Sequence, residues 1–268
     1  MADVNEWRGF SRPPAGADAL QGLGAHRTFR AVVQEGPWPR EQDRALTDDE
    51  RGLIGHLAAG RWNEALAALK AGGMRLDARD DTGATALGLA ARAGQLDLVR
   101  ELIRQGAPLD QAGLNGITPL AAAAMDGHDL VVHDLLRAGA RINEPTAQAQ
   151  TPLHLAAAAG RARTITFLLK HGADRLAVNR EGRMPLHQAA YMGHVQAAQA
   201  FLAAGQPLTQ LDQRGLNAMH AAALGNQPAM VAWLQEQRVP VESALTQVLI
   251  DQMGNCPSGL PACVQAMP

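Results

Sequence analysis

The sequence predicts an all-α fold: a solenoid of paired short antiparallel helices with β-turn fingers, about six repeats long. Three observations predict it. Glycine, leucine and paired alanines return every 33 residues over much of the 268-residue chain. Helix start and stop residues bracket apolar runs too short to be stable as isolated helices. Aromatic residues make up only 3% of the chain although 47% is hydrophobic, so alanine and leucine must do the packing.

The repeat is read column by column. Gly83, Gly116, Ala149, Gly182 and Gly215 fall one period apart. Four residues on come Leu87, Leu120, Leu153, Leu186 and Met219. Then come Ala90, Ala123, Ala156, Ala189 and Ala222, each followed by a second alanine. Leu102, Leu135, Leu168, Phe201 and Leu234 are also in register, and Gly106, Gly139, Gly172 and Gly205 close four of the units. A fixed period of this size means stacked structural repeats.

Each column has a physical role. Thr85, Thr118 and Thr151 place a hydroxyl where it can cap the free N–H groups of a first helix. Pro119, Pro152 and Pro185 stand at the first helical position, where a missing N–H costs nothing. The alanine pairs let a neighbouring helix approach closely. Gly94, Gly127, Gly160 and Gly193 end the first helix by accepting a left-handed conformation. Ile165, Leu168 and Leu169 show the spacing of a second helix with one apolar face. Three departures are expected to weaken the pattern. Met184 cannot cap as threonine does. Gly225 arrives one residue early, with Asn217 left to cap its helix. Arg238 and Val239 stand in place of Gly-Ala, as in an eroded terminal repeat.

TPLHLAAAAG (151–160), with the weaker copies MPLHQAAYMG and ITPLAAAAMDG, resembles the ankyrin repeat, whose pattern is T-P-L-H-x-A at a period near 33. The resemblance is clear over residues 80 to 242, and 49–79 reads as a degenerate first copy. The expected organisation has an irregular N-terminal segment over 1–48. A repeat domain follows over 49–242, with units near 49–79, 80–112, 113–145, 146–178, 179–211 and 212–242. A C-terminal capping helix and tail then occupy 243–268. Ser243 to Met253 is read as that helix, stopped by Gly254. The leader contains Trp7, Phe10, Phe29 and Trp38, which suggests that it packs on or precedes the first repeat.

The search for chemistry returns structural answers. His154, His187 and His220 hold the T-P-L-H position, where an imidazole ties the cap to the adjacent turn, and they stand a repeat apart. His128 and His194 fill the Gly-His slot of the family. No HExxH, GxSxG, Walker or CxxC motif is present. The reading is therefore a non-enzyme with no catalytic residue, no metal site and no cofactor. A net charge of −2 without a basic stripe argues against nucleic acid. No window approaches 18 apolar residues, which argues against a membrane. The start of the chain lacks the apolar run of a signal peptide. Arginine outnumbers the two lysines, Lys70 and Lys170, a usage that suggests a high-GC bacterial genome. Cys256 and Cys263 are close enough in sequence to close a small loop, but are read first as two free thiols. A cytoplasmic location and a chain that is monomeric on its own are expected.

The resemblance implies which positions packing leaves free: the finger tips and the residues that follow the alanine pairs, on the concave face. The candidate protein-binding residues are Leu114, Ile117, Met125, Arg180, Arg183, Tyr191, Met192, Arg214, Leu216 and Leu224. Tyr191 is the only tyrosine of the chain. Tyrosine and arginine are the types in which binding energy concentrates. The expected function is a non-catalytic scaffold for a partner protein, as a bacterial immunity or inhibitor protein or an adaptor. The alternative is a secreted ankyrin effector acting on host proteins. Truncating Tyr191 and Arg183 together is expected to lower binding without moving the melting temperature.

Overall fold

A computed structural model describes residues 48–72, 75–80 and 83–241, together with Thr246 and Ile250. The leader and both cysteines lie outside the described residues. So do most of the predicted Ser243–Met253 helix and its Gly254 stop. Thr246 and Ile250 of that segment are helical and buried, and Ile250 joins the core.

The described residues form twelve α-helices in six consecutive pairs. Repeat one has α1 (Asp48–Ala58) and α2 (Trp62–Ala71), and repeat two has α3 (Ala86–Arg92) and α4 (Leu96–Arg104). Repeat three has α5 (Pro119–Asp126) and α6 (Asp129–Ala138), and repeat four has α7 (Pro152–Ala158) and α8 (Ala162–Lys170). Repeat five has α9 (Pro185–Tyr191) and α10 (Val195–Ala203), and repeat six has α11 (Ala218–Leu224) and α12 (Pro228–Glu236). Odd-numbered helices stack on odd, even on even, and each helix packs on its partner within the pair.

The two helices of a pair differ in sequence because they differ in surroundings. The odd-numbered helices of repeats two to five are flanked on both sides by their counterparts, and α11 by α9 on one side. In α7 every residue from Pro152 to Ala157 is buried, and in α11 every residue from Ala218 to Ala223. Such a helix needs small side chains all round rather than an apolar stripe. The even-numbered helices have one neighbour-facing side and one solvent face. In α4, Leu98, Val99 and Leu102 are buried while Arg100 and Arg104 point out. A single continuous core of these leucines and alanines runs from Leu53 to Ile250.

The predicted caps form. Thr85 accepts from the Gly88 N–H, Thr118 from Ala121, and Thr151 from His154. Asn217 accepts from the N–H of His220. Met184 makes no cap hydrogen bond. Gly94, Gly127, Gly160 and Gly193 all take positive φ beyond the first helix of their repeat. The sixth repeat departs from expectation in one respect. Gly225 is right-handed, with φ −80, and it is Asn226, φ 52, that fills the left-handed position in register with the other glycines. Arg238 likewise takes the left-handed conformation of the missing glycine, φ 57, and Val239 is buried beside it.

Between pairs, the chain turns through a finger. In each of five fingers the first residue's N–H donates to the carbonyl four residues on, and its carbonyl accepts from the N–H three residues on. Asn179 does so with Arg183 and Gly182, at 3.0 and 2.9 Å. Asp80, Asn179 and Asp212 add side-chain acceptors for the finger's own N–H groups. Thr146 does the same less tightly. Gly113 has no such side chain, and its finger instead carries a single 3-10 turn, Leu114–Gly116, with Asn115 left-handed.

Ala149 is the one non-glycine in the finger-tip column, and it sits at φ 57. A left-handed conformation costs an L-residue roughly 1–2 kcal/mol, partly offset by the extra entropy that glycine loses on folding. Ala149→Gly is therefore expected to raise stability by about 0.5–1 kcal/mol. Urea titration followed by circular dichroism checks it; a lower midpoint would contradict the assigned strain.

Candidate protein-binding face

Each finger leads directly into the odd-numbered helix of its repeat. The fingers are joined by a set of bonds that tie each repeat to the next. The Ala147 N–H donates to the Asn115 carbonyl at 2.9 Å, Arg180 to Gln148 at 3.1 Å, and Gln213 to Gly182 at 3.1 Å. Arg79 bridges the first two fingers through the carbonyls of Gly83 and Ala112. These links fix the spacing of the finger tips.

A second set closes the helix ends. The last carbonyls of an α-helix lack intrahelical donors. The side chain that follows the glycine turn of one repeat supplies one for the repeat before. Nε2 of His128 meets the Arg92 carbonyl at 2.9 Å, and Nε2 of His194 meets that of Ala158 at 2.9 Å. Arg161 Nε donates to the Met125 carbonyl at 3.1 Å. The Gly-His slot is thus a C-terminal cap delivered across the repeat boundary. Only the histidines in it were legible in advance; Arg161 performs the same task with a different residue type.

His154 does the work expected of the T-P-L-H position, and His187 does half of it, reaching the adjacent turn but not the cap. His154 accepts through Nδ1 from the Thr151 backbone N–H at 3.2 Å, and its Nε2 lies 3.0 Å from the Arg183 carbonyl. Burial pushes its pKa down to about 4. His187 reaches the Gln210 carbonyl at 3.0 Å, and burial lowers its pKa too. Its Nδ1 has no hydrogen-bond partner, and Met184 makes no side-chain cap. Among the described residues no group of three or more His, Cys, Asp or Glu could hold a metal ion.

The structure disposes the candidate binding residues unevenly. Arg180 and Arg214 are exposed on adjacent finger tips, and Ile117 and Leu216 are half-buried in their fingers. Met125, Tyr191 and Met192 are half-buried where α5 and α9 end, and Leu224, at the end of α11, is 42% exposed. Leu114 lies in the 3-10 turn, and its side chain falls outside the described residues. Arg183 is not left free by packing. Its guanidinium carbon lies 3.8 Å from the centre of the Tyr191 ring, and Nη1 is 2.7 Å from Glu181. Its side chain is only 13% exposed, and Nε is buried with no partner. The expectation that Arg183→Ala leaves melting unchanged is therefore corrected: that substitution removes packing as well as charge.

The sixth repeat approaches Tyr191 unusually closely. A Cβ placed on Gly225 would overlap the Tyr191 carbonyl oxygen and lie 2.8 Å from its carbon. That carbonyl corresponds to those of Met125 and Ala158, which receive a side chain from the next repeat. Here Gln227 turns to the Gly225 carbonyl at 2.9 Å, and the glycine backbone itself closes over Tyr191.

A repeat of this length, with capped short helices and cross-bonded fingers, is that of a protein-interaction scaffold. The family model described as "Ankyrin repeats (3 copies)" matches four overlapping windows, 55–146, 87–179, 120–212 and 153–244. These span well over half of the chain, which belongs to the ankyrin-repeat family. No curated protein sequence matches it. None of the described helices is long and apolar enough to cross a membrane.

Proposed function

We propose that the chain is a non-catalytic binding protein, monomeric on its own. It holds a folded partner protein on the finger-and-inner-helix side, the concave face in this family, with repeats five and six as the centre of contact. One observation carries this reading. Tyr191, Met192 and Leu224 present apolar surface at the ends of α9 and α11, where the alanine cores of those helices need none, and the stacked Arg183 holds Tyr191 in place. Large rigid side chains that keep one conformation lose little entropy on binding. In the finer role we propose, that of a bacterial, cytoplasmic inhibitor or immunity protein, the face blocks its partner by covering it. A long face suits that role because occlusion requires only area.

The test uses Leu224→Asp, chosen because Leu224 is exposed while Arg183 and Tyr191 support the fold. The partner captured by the wild-type chain from its native host is identified and purified. Its affinity for Leu224→Asp is expected to fall at least tenfold, about 1.4 kcal/mol, with an unchanged circular dichroism melt. Equal affinity places the contact elsewhere. If the partner is a toxic enzyme, co-expression with the wild-type chain restores growth and the variant does not.

A further inference from the structure

Resting on that reading of the face, we infer the chemistry of its partner: an acidic protein surface that sets a carboxylate beside an aromatic or aliphatic anchor. The argument begins with the finger tips. Those of repeats three and four, residues 113–117 and 146–150, carry no charged side chain. Those of repeats five and six carry three arginines: Arg180, Arg183 and Arg214. They are held close together. The stem of Arg214 lies against Gly182, with its Cγ 3.3 Å from where a Cβ would stand, and the Gln213 N–H bonds the Gly182 carbonyl.

Two carboxylates share this pair of fingers, and both are committed. Glu181 pairs with Arg183 at 2.7 Å. Asp212 is buried, accepts from the Arg214 and Leu216 backbone N–H groups, and stands 3.6 Å from Arg214 Nε. One positive charge is in excess, and Arg180 is the arginine that neither carboxylate contacts. Arg183 meets the apolar end of α9 by stacking on Tyr191, while Arg180 stands on the finger that leads into α9 and Arg214 on the one that leads into α11. A fork of N–H donors next to an apolar shelf matches a carboxylate flanked by a hydrophobic side chain. An extended nucleic acid fits less well, because the neutral fingers of repeats three and four interrupt any basic track.

The experiment pans a display library of random 12-residue peptides on the full chain. The most enriched peptide is then synthesised and its affinity measured by fluorescence anisotropy. Arg180→Glu/Arg214→Glu, Leu224→Asp and a 20-nucleotide oligothymidylate complete the set, with melting curves run on both variants. The expected peptides carry net negative charge and an aromatic or aliphatic residue. Binding should weaken at least tenfold in Arg180→Glu/Arg214→Glu, and again when sodium chloride rises from 50 to 300 mM. Enriched peptides that are neutral or basic but lose affinity in Leu224→Asp overturn the acidic partner and leave the binding face standing. Peptides indifferent to Leu224→Asp, or no enrichment over an unrelated protein, overturn both. Oligothymidylate bound as tightly as the peptide, and lost in the arginine variant, assigns the finger tips to nucleic acid instead.

Discussion

Replacing Gly225 with alanine is expected to lower stability by about 3 kcal/mol, the upper part of the range for forcing an atom into packed space. Gly225 has an ordinary right-handed backbone, so conformational strain is not the cause. The cause is the Tyr191 carbonyl, which occupies the space that the new methyl group would take. A backbone carbonyl cannot swing away as a side chain can, so α11 must separate from α9. Gly55 supplies the control. It lies exposed within α1 with nothing within 4 Å of a Cβ position, and Gly55→Ala is expected to gain about 0.5–1 kcal/mol from helix propensity. Repeat arrays unfold from their weakest junction. Hydrogen exchange should therefore accelerate in α9, α11 and α12 of Gly225→Ala while α5 and α7 keep their protection. Uniform acceleration, or none, would show that this junction is not specially tight.

Gly225 also shows where reading a sequence stops. By residue type it resembles a helix-stop glycine displaced by one position. Two facts were needed to read it otherwise: that Asn226 tolerates the left-handed conformation, and that a carbonyl lies opposite. The first is a local property of asparagine and could have been weighed. The second depends on how two helices 34 residues apart meet, which no local pattern encodes. Period, caps, helix pairing and core were legible because each follows from single residues at fixed spacing. Thr151 predicts its own cap, and Ala156 with Ala157 predicts a close neighbour.

The candidate face was legible only as a set of positions. That Tyr191 and Met192 would stay half-buried and Leu224 exposed follows from their column, although Tyr191 also packs against the core. That Arg183 would stack on Tyr191 and pair with Glu181 does not, because a long side chain chooses among partners by geometry. The cross-repeat caps illustrate the same limit. His128, Arg161 and His194 do one job in one column, but their residue types differ, so identity hides the shared role that position reveals.

Lowering the pH from 7.5 to 5 is expected to cost the array about 2 kcal/mol through His154 alone. In the folded chain its pKa is about 4, against 6.5 for an ordinary histidine. The folded state thus binds fewer protons than the unfolded state throughout that interval. Stability is intact above pH 6.5, falls as the unfolded chain takes up the proton, and levels off only near pH 4, where the folded imidazole also protonates. The physical cause is burial, opposed in part by the Arg183 carbonyl and by Asp174. A proton on Nδ1 would also face the Thr151 N–H that now donates to it. His187 adds loss in the same direction, since burial outweighs the pull of Asp212. The carboxylates held low by neighbours, such as Glu101 beside Arg104, titrate in the unfolded chain near 4.5, so most of their effect falls below pH 5. Urea titrations at pH 7.5 and 5 measure the difference, and His154→Gln isolates the source. That variant starts less stable at pH 7.5, because the tie to the Arg183 carbonyl is disturbed, yet its loss on acidification should be smaller than wild type by about 2 kcal/mol. An unchanged pH dependence in His154→Gln would mean that this imidazole does not couple protonation to the junction between repeats four and five.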